Sequence, residues 1–292
     1  MIYIIFVIIY VSLLLGVGIY QSRKVKNQED FMVAGRNAGM WMLVGSLICT
    51  WIGSGSLFGT AGLAFKTGFS ELWFSSGAWL GILFIFTIAY KVRKVSQFTL
   101  TDILEKRYSR TAKILGTITI IIAYLVITGY QFKGGGRLLS IITNNAVDPA
   151  LGTLLTAVFI TLFTLLAGMI SIMTIDMING SIMIIAVFSS LIMAVSSQGG
   201  VAQIIQKIGM RSPAHLDIMG GHSPLWVLGL ILPTLLLLLS ESSMYQKFSS
   251  AKEPKTARKA VLGMLAGVIL IEVAMAFLAI VGYSIYMDDP RF

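Results

Sequence analysis

The chain has 292 residues, of which 56% are hydrophobic and 12% charged. Soluble domains average about 25% charged residues, so this chain fits neither a water-covered globular domain nor a disordered segment, which needs low hydrophobicity. Its net charge of +9 leaves two readings, nucleic-acid binding or basic loops on one side of a membrane.

A membrane span needs about 20 mostly apolar residues. Eight stretches qualify: Met1–Tyr20, Met40–Phe65, Leu72–Tyr90, Ile114–Ile142, Pro149–Ile170, Met177–Ser197, Leu225–Tyr245 and Ala260–Tyr286. The first lacks the positive n-region of a secretory signal. Positives follow it instead, at Arg23, Lys24 and Lys26, which reads as a retained anchor with the N-terminus outside. The same sense of insertion puts Arg36, the cluster Lys91–Lys113 and the cluster Lys247–Lys259 on the inner side. Only Lys66, Lys133, Arg137, Lys207, Arg211 and Arg291 fall outside. That asymmetry follows the positive-inside rule and accounts for the net charge without nucleic acid.

Short helical pieces are expected in the inner loops. Asp102 followed by Glu105 reads as a cap opening Ile103–Tyr108. Pro254 suits the first turn of a helix through Ala260, lying along the inner face. Gln198–Ser223, with Gly, Pro and both histidines, reads as an outer loop.

The second stretch carries the strongest chemical signal. Gly53-Ser54-Gly55-Ser56 stands in the middle of it, beside Thr50 and Trp51. Each glycine costs a helix about 1 kcal/mol against alanine. Backbone groups freed inside a bilayer need partners that lipid does not supply. Such a break is tolerated where it lines an ion or substrate site. The competing reading is close helix packing through Gly55-x-x-x-Gly59.

In the seventh stretch Pro233 precedes the polar run Ser240-Glu241-Ser242-Ser243. Proline kinks a helix, and the run forms either a pocket wall or an ordinary cytoplasmic boundary. Glu272 lies midway along the eighth stretch. An intramembrane carboxyl is a functional candidate by default, either a buried hydrogen-bonded acid or an ion or proton carrier. Gly134-Gly135-Gly136 lets another backbone come close, while Lys133 and Arg137 beside it suit an interface. Asp176 reads as an acid at a helix start.

Enzyme chemistry finds no footing. The single cysteine, Cys49, can make no internal disulfide, and no Cys/His cluster offers a metal site. There is no HExxH, phosphate loop or dinucleotide fingerprint. No cofactor is called for.

Several short motifs together resemble the sodium:solute symporter family. Phe31-Met32-Val33-Ala34-Gly35-Arg36 is similar to its F-x-x-A-G-R loop, and Gly68 and Trp73 fall where it has Gly and Trp. Thr99–Tyr108 resembles T-x-x-[DE]-x-L-x-x-R-[YF]. Leu162–Met169 resembles Y-T-x-x-G-G-L with Ala167 for the first Gly, and Asp176 is followed by Asn179 where the family has Gln. Tyr245-Gln246-Lys247, Ala251-Lys252 and Ala257-Arg258 resemble the family's Y-Q-R…A-A-K-S…A-R run.

The resemblance implies an all-α, multi-pass, LeuT-type fold of two inverted five-helix units, each led by a broken helix. Residues 1–37 would be the first span and inner loop, 38–197 the first repeat, and 225–292 the start of a second, so that the sequence reads as an N-terminal portion. It implies sodium held by the backbone carbonyls of Cys49 and Ile52. A substrate pocket would lie at Trp51, Gly53, Ser54, Gly55, Ser56, Glu241 and Ser242. Asp176 and Glu272 are the candidates for sodium exit or coupling, and no metal other than sodium is implied. The function implied is sodium-coupled import of a small organic solute across the plasma membrane by alternating access. The alternatives are a symporter-like sensory domain and a proton-coupled or sodium-independent carrier on the same fold.

Overall fold

The structure, a computed structural model, describes residues 2–23, 25–95 and 97–287. Met1, Lys24, Arg291 and Phe292, used in the reading above, lie outside the described residues. Helices run α1 Ile2–Ser22, α2 Gln28–Val33, α3 Met40–Trp51, α4 Ala61–Thr67, α5 Leu72–Val95, α6 Leu100–Arg107 and α7 Arg110–Ile142. They continue as α8 Pro149–Leu166, α9 Met169–Ser197, α10 Val201–Arg211, α11 Pro224–Ser240, α12 Ser242–Ser250 and α13 Pro254–Tyr286. Between α3 and α4 stands a π-helical turn, Gly55–Thr60.

Among the described residues, five helical stretches are long and apolar enough to cross a membrane, or six if α11 and α12 form one broken span. One of the five is Gly55–Val95, which takes in both α4 and α5, and two shorter apolar helices are Met40–Trp51 and Pro149–Leu165. Each of the eight sequence stretches therefore has a helical counterpart, although several bounds move. The fifth stretch stops at Leu166 and α9 starts at Met169, well before Met177. Pro254 opens α13 itself instead of a separate surface helix. The outer loop contains a helix, α10. The cap of α6 is Thr99, not Asp102: its side chain accepts from the Asp102 N–H at 3.2 Å while Asp102 Oδ2 accepts from the Thr99 N–H at 3.1 Å.

Two compact units divide the chain, one comprising 1–50, 88–179 and 242–260, the other 51–87, 180–241 and 261–292. In the first unit α7 lies against α8 through its glycines. A Cβ at Gly136 would stand 2.5 Å from Thr153 N, and one at Gly152 would stand 2.8 Å from Gly136 O. The close backbone approach expected of Gly134–Gly136 is thus present. The F-x-x-A-G-R segment becomes α2 and a left-handed turn, with Ala34 and Arg36 at φ 52° and 54°. Arg36 bonds Glu29 at 2.6 Å and the Ser249 carbonyl at 3.3 Å. Ala38 pairs with the chain leaving α12, donating to Ser250 O and accepting from Lys252 N–H, both at 3.0 Å. Several motif residues therefore converge on one end of α12.

In the second unit α10 buries Ile204 and Ile208 against Ile280 and Val281 of α13. Helix α5 meets α11 closely at Gly77 and Gly81, where an added Cβ would approach Ile231 O at 2.4 Å and Leu238 Cδ2 at 2.9 Å. This pair makes the small-x-x-x-small contact. Gly55 and Gly59 do not, because a Cβ at either would meet nothing within 4 Å.

Candidate functional site

Helix α3 ends at Trp51, and Ile52 and Gly53 belong to no helix. From Ser54 the chain resumes in wide turns, with the Ala61 N–H donating to Ser56 O across five residues. Apolar residues alone would have continued the helix; the glycines and serines remove that drive. The interruption expected at Gly53–Ser56 is present and begins one residue earlier. Single π turns inside helices recur at functional sites. The carbonyls of Cys49 and Ile52 belong to the turn in which regular helix is lost. Ser54 and Ser56 are buried, and Gly55 is exposed.

The second interruption lies at Glu241, whose backbone is extended (φ −66°, ψ 92°) between α11 and α12. Helix α11 runs unbroken through Pro233. The break in this segment falls at Glu241, after the end of α11, and not at the proline. Ser242 is the first residue of α12, and the Ser243 N–H donates to the Tyr124 hydroxyl at 2.9 Å.

Asp176 is not a helix-start acid. It lies in the second turn or beyond of α9, at the centre of a polar cluster of the first unit. Ser46 Oγ donates to its Oδ2 at 2.6 Å, and Lys247 Nζ reaches the same oxygen at 2.9 Å. Lys247 also donates to Ser46 O at 3.0 Å and to Thr50 Oγ1. Cys49 Sγ donates to the Asp176 carbonyl at 3.1 Å. The approach is set by Gly45, where an added Cβ would stand 2.9 Å from the Met177 backbone. Asn179, one turn beyond Asp176, accepts the Tyr10 hydroxyl at 2.6 Å.

Sequence reasoning counted Lys247 as an inner-loop cation. The structure puts its side chain at 8% exposure inside this cluster. The signal available was Asp176 itself, since a carboxylate placed among apolar residues calls for a counter-charge. The cluster has a plain physical sense. One ammonium joins the Asp176 carboxylate of α9 to a carbonyl and a hydroxyl in the last two turns of α3, so the end of that helix is held by charge.

Glu272 belongs to the second unit and is 4% exposed. Its Oε1 accepts the Trp51 indole N–H at 2.9 Å and its Oε2 that of Trp79 at 2.6 Å. Trp51, a pocket candidate, and Glu272, a coupling candidate, are thus in direct contact. Among the described residues no cluster of three or more His, Cys, Asp or Glu could hold a metal ion.

An all-helical membrane chain with two interrupted helices, one ending among buried polar groups, defines a multi-pass transport-type protein. The sequence pattern of the Sodium:solute symporter family matches residues 31–292, and the chain belongs to that family.

Among its relatives is the osmoregulated proline transporter OpuE of Bacillus subtilis, 29% identical over 224 residues, covering 74% of this chain and 45% of that protein. Another is sodium/proline symporter 2 of Staphylococcus saprophyticus, 25% identical over 305 residues, covering 98% of this chain and 58% of that protein. The fold matches a solved Na+-coupled sialic acid symporter in a substrate-bound outward-open state. The TM-score is 0.85 at 16% identity, over 100% of this chain and 62% of the other. The LeuT-type fold expected from the motifs is therefore the fold observed. The chain spans about half the length of the curated relatives it matches. These relatives are named as transporters, not enzymes.

Proposed function

We propose that the protein imports a small organic solute with sodium as the coupling ion, by alternating access in the plasma membrane, with its N-terminus outside. The observation that carries this is the loss of helix after Trp51. Unwound main chain inside a membrane segment leaves carbonyl oxygens for a cation, and half-helix ends beside it face substrate. The carbonyls of Cys49 and Ile52 are the proposed sodium ligands. Trp51, Gly53, Ser54, Gly55, Ser56, Glu241 and Ser242 are the proposed substrate contacts. Asp176, ion-paired to Lys247, is the proposed gate through which sodium leaves, and Glu272 is a second coupling candidate acting through Trp51. Neither covalent chemistry nor nucleic acid enters this reading.

The names of two relatives make proline the first solute to test. Radiolabelled proline uptake is measured in cells expressing the protein, in sodium and in choline medium. Uptake in choline is expected to fall to the level of cells lacking the protein. Proline uptake above that level and equal in both media removes sodium coupling.

A further inference from the structure

Trp51 closes α3, and the two residues after it belong to no helix. Regular backbone therefore holds this tryptophan from one side only. Glu272 of α13 supplies a second hold and shares it with Trp79 of α5. Its Oε1 accepts the Trp51 indole N–H at 2.9 Å and its Oε2 that of Trp79 at 2.6 Å. Donors and acceptors match one for one, since an indole has a single N–H and a carboxyl group has two oxygens. A glutamine there would offer one oxygen and one NH2 group, leaving one indole to face another donor.

Trp79 is the fixed end of this linkage. It lies on α5 between Gly77 and Gly81, the two glycines through which that helix sits against α11. The turn leading into α5 is tied as well: Glu71 is buried, and its Oε1 accepts the Ser75 hydroxyl at 2.9 Å. Position thus passes from α11 to α5, through Trp79 and Glu272, to Trp51 at the helix break.

The same bond decides what Trp51 can offer a solute. Its single donor is turned to a carboxyl that is 4% exposed, while the residue as a whole is half-buried. The part left accessible is ring carbon. An aromatic face attracts apolar carbon and cationic nitrogen, and it gives no hydrogen bond to a solute oxygen.

We propose that Trp79 and Glu272 are positioning residues for solute binding, clamping Trp51 so that it meets the solute with its ring and not its N–H. The contact selects a solute that brings saturated carbon, or carbon next to a cationic nitrogen, to that place. The selection rests on Trp51 being a solute contact, as proposed above; the clamp does not.

The clamp is tested without a solute. The purified protein, isotope-labelled at its tryptophan nitrogens, is placed in lipid discs, and the indole N–H signals of its five tryptophans are followed by NMR after transfer to heavy water. Trp51→Phe and Trp79→Phe assign the two signals of interest. Both should exchange slowly in the unaltered protein. Trp51 should exchange many-fold faster in Trp79→Phe, and at least one of the pair should do so in Glu272→Gln. Trp73, whose N–H donates to Ile218 O at 2.8 Å, should keep its rate and so report that the fold persists. Fast exchange at Trp51 in the unaltered protein overturns the clamp, as does a Trp51 rate that neither Trp79→Phe nor Glu272→Gln changes. Uptake then tests the positioning role: Trp79→Phe should raise the KM for proline several-fold, more than it lowers maximal uptake. A fall in maximal uptake at unchanged KM overturns that role. The exchange rates need no transported solute, so a protein that takes up no proline still bears out or overturns the clamp by them.

Discussion

Lys247→Met is expected to lower the stability of the first unit by about 3–5 kcal/mol, because it strips the counter-charge from a mostly buried carboxylate. The Lys247 and Asp176 side chains are 8% and 19% exposed and 2.9 Å apart, so solvent screens the pair little. Ser46 still donates to Asp176 in the variant, but a neutral hydroxyl does not balance the charge. The unfolding midpoint in detergent should fall by roughly 10 °C for a chain of this size. The double change Lys247→Met with Asp176→Leu should recover most of that loss, since no unpaired charge remains. A single variant melting within about 1 °C of the parent would mean that the ammonium does not hold the end of α3.

Gly68→Ala carries the second large effect. Gly68 has φ 66° and ψ −142°, a region open to glycine and closed to side chains. Its added Cβ would also stand 2.1 Å from the backbone carbonyl oxygen of His215, and a carbonyl cannot swing away as a side-chain tip does. Backbone strain and overpacking cost about 1–3 kcal/mol each, so a combined loss of about 3 kcal/mol or more is expected. This turn ends α4 and delivers Ser70 and Glu71 to their places, with Ser70 Oγ donating to Thr67 O at 2.8 Å. The measurement is the fraction of monodisperse protein after solubilisation, compared with Gly55→Ala, where the added methyl meets nothing within 4 Å. Equal yields for the two variants would contradict the argument.

The elements most legible in the sequence were those set by composition alone. Apolar stretches separated by basic loops located the helices, and Gly-Ser-Gly-Ser located the first interruption. Helix α10 reads as loop because Gly, Pro and both histidines crowd the same segment, although Ile204 and Ile208, four residues apart, form the apolar face it buries. The sequence places the start of α9 too late, because Asp176 suits an acid at a helix start. Inside the helix its charge is met by Lys247, 71 residues away in sequence. Pro233 suggested a kink that does not interrupt α11, whereas the actual break falls at Glu241.

The partners of Glu272 lie 221 and 193 residues away, and no local spacing encodes contacts at that range. Glu71 drew no notice because it stands at the edge of an apolar stretch, where an acid normally faces water. The motif residues fared differently. Arg36 and Ala251 stand out in the sequence only by likeness, and the fold places both at one end of α12, where Arg36 bonds the Ser249 carbonyl and the Ala251 N–H donates to Phe248 O.

Cys49 provides the most direct test of the cation site. It is the chain's single cysteine, and its own carbonyl is one of the two oxygens assigned to sodium. The rate of Cys49 alkylation by a small maleimide is measured in membranes, in sodium and in choline at equal ionic strength. Sodium bound at the carbonyls of Cys49 and Ile52 should tighten that turn and slow labelling several-fold, saturably with sodium concentration. Labelling at the same rate in both media, with the thiol fully reactive after denaturation, would contradict a sodium site at the end of α3.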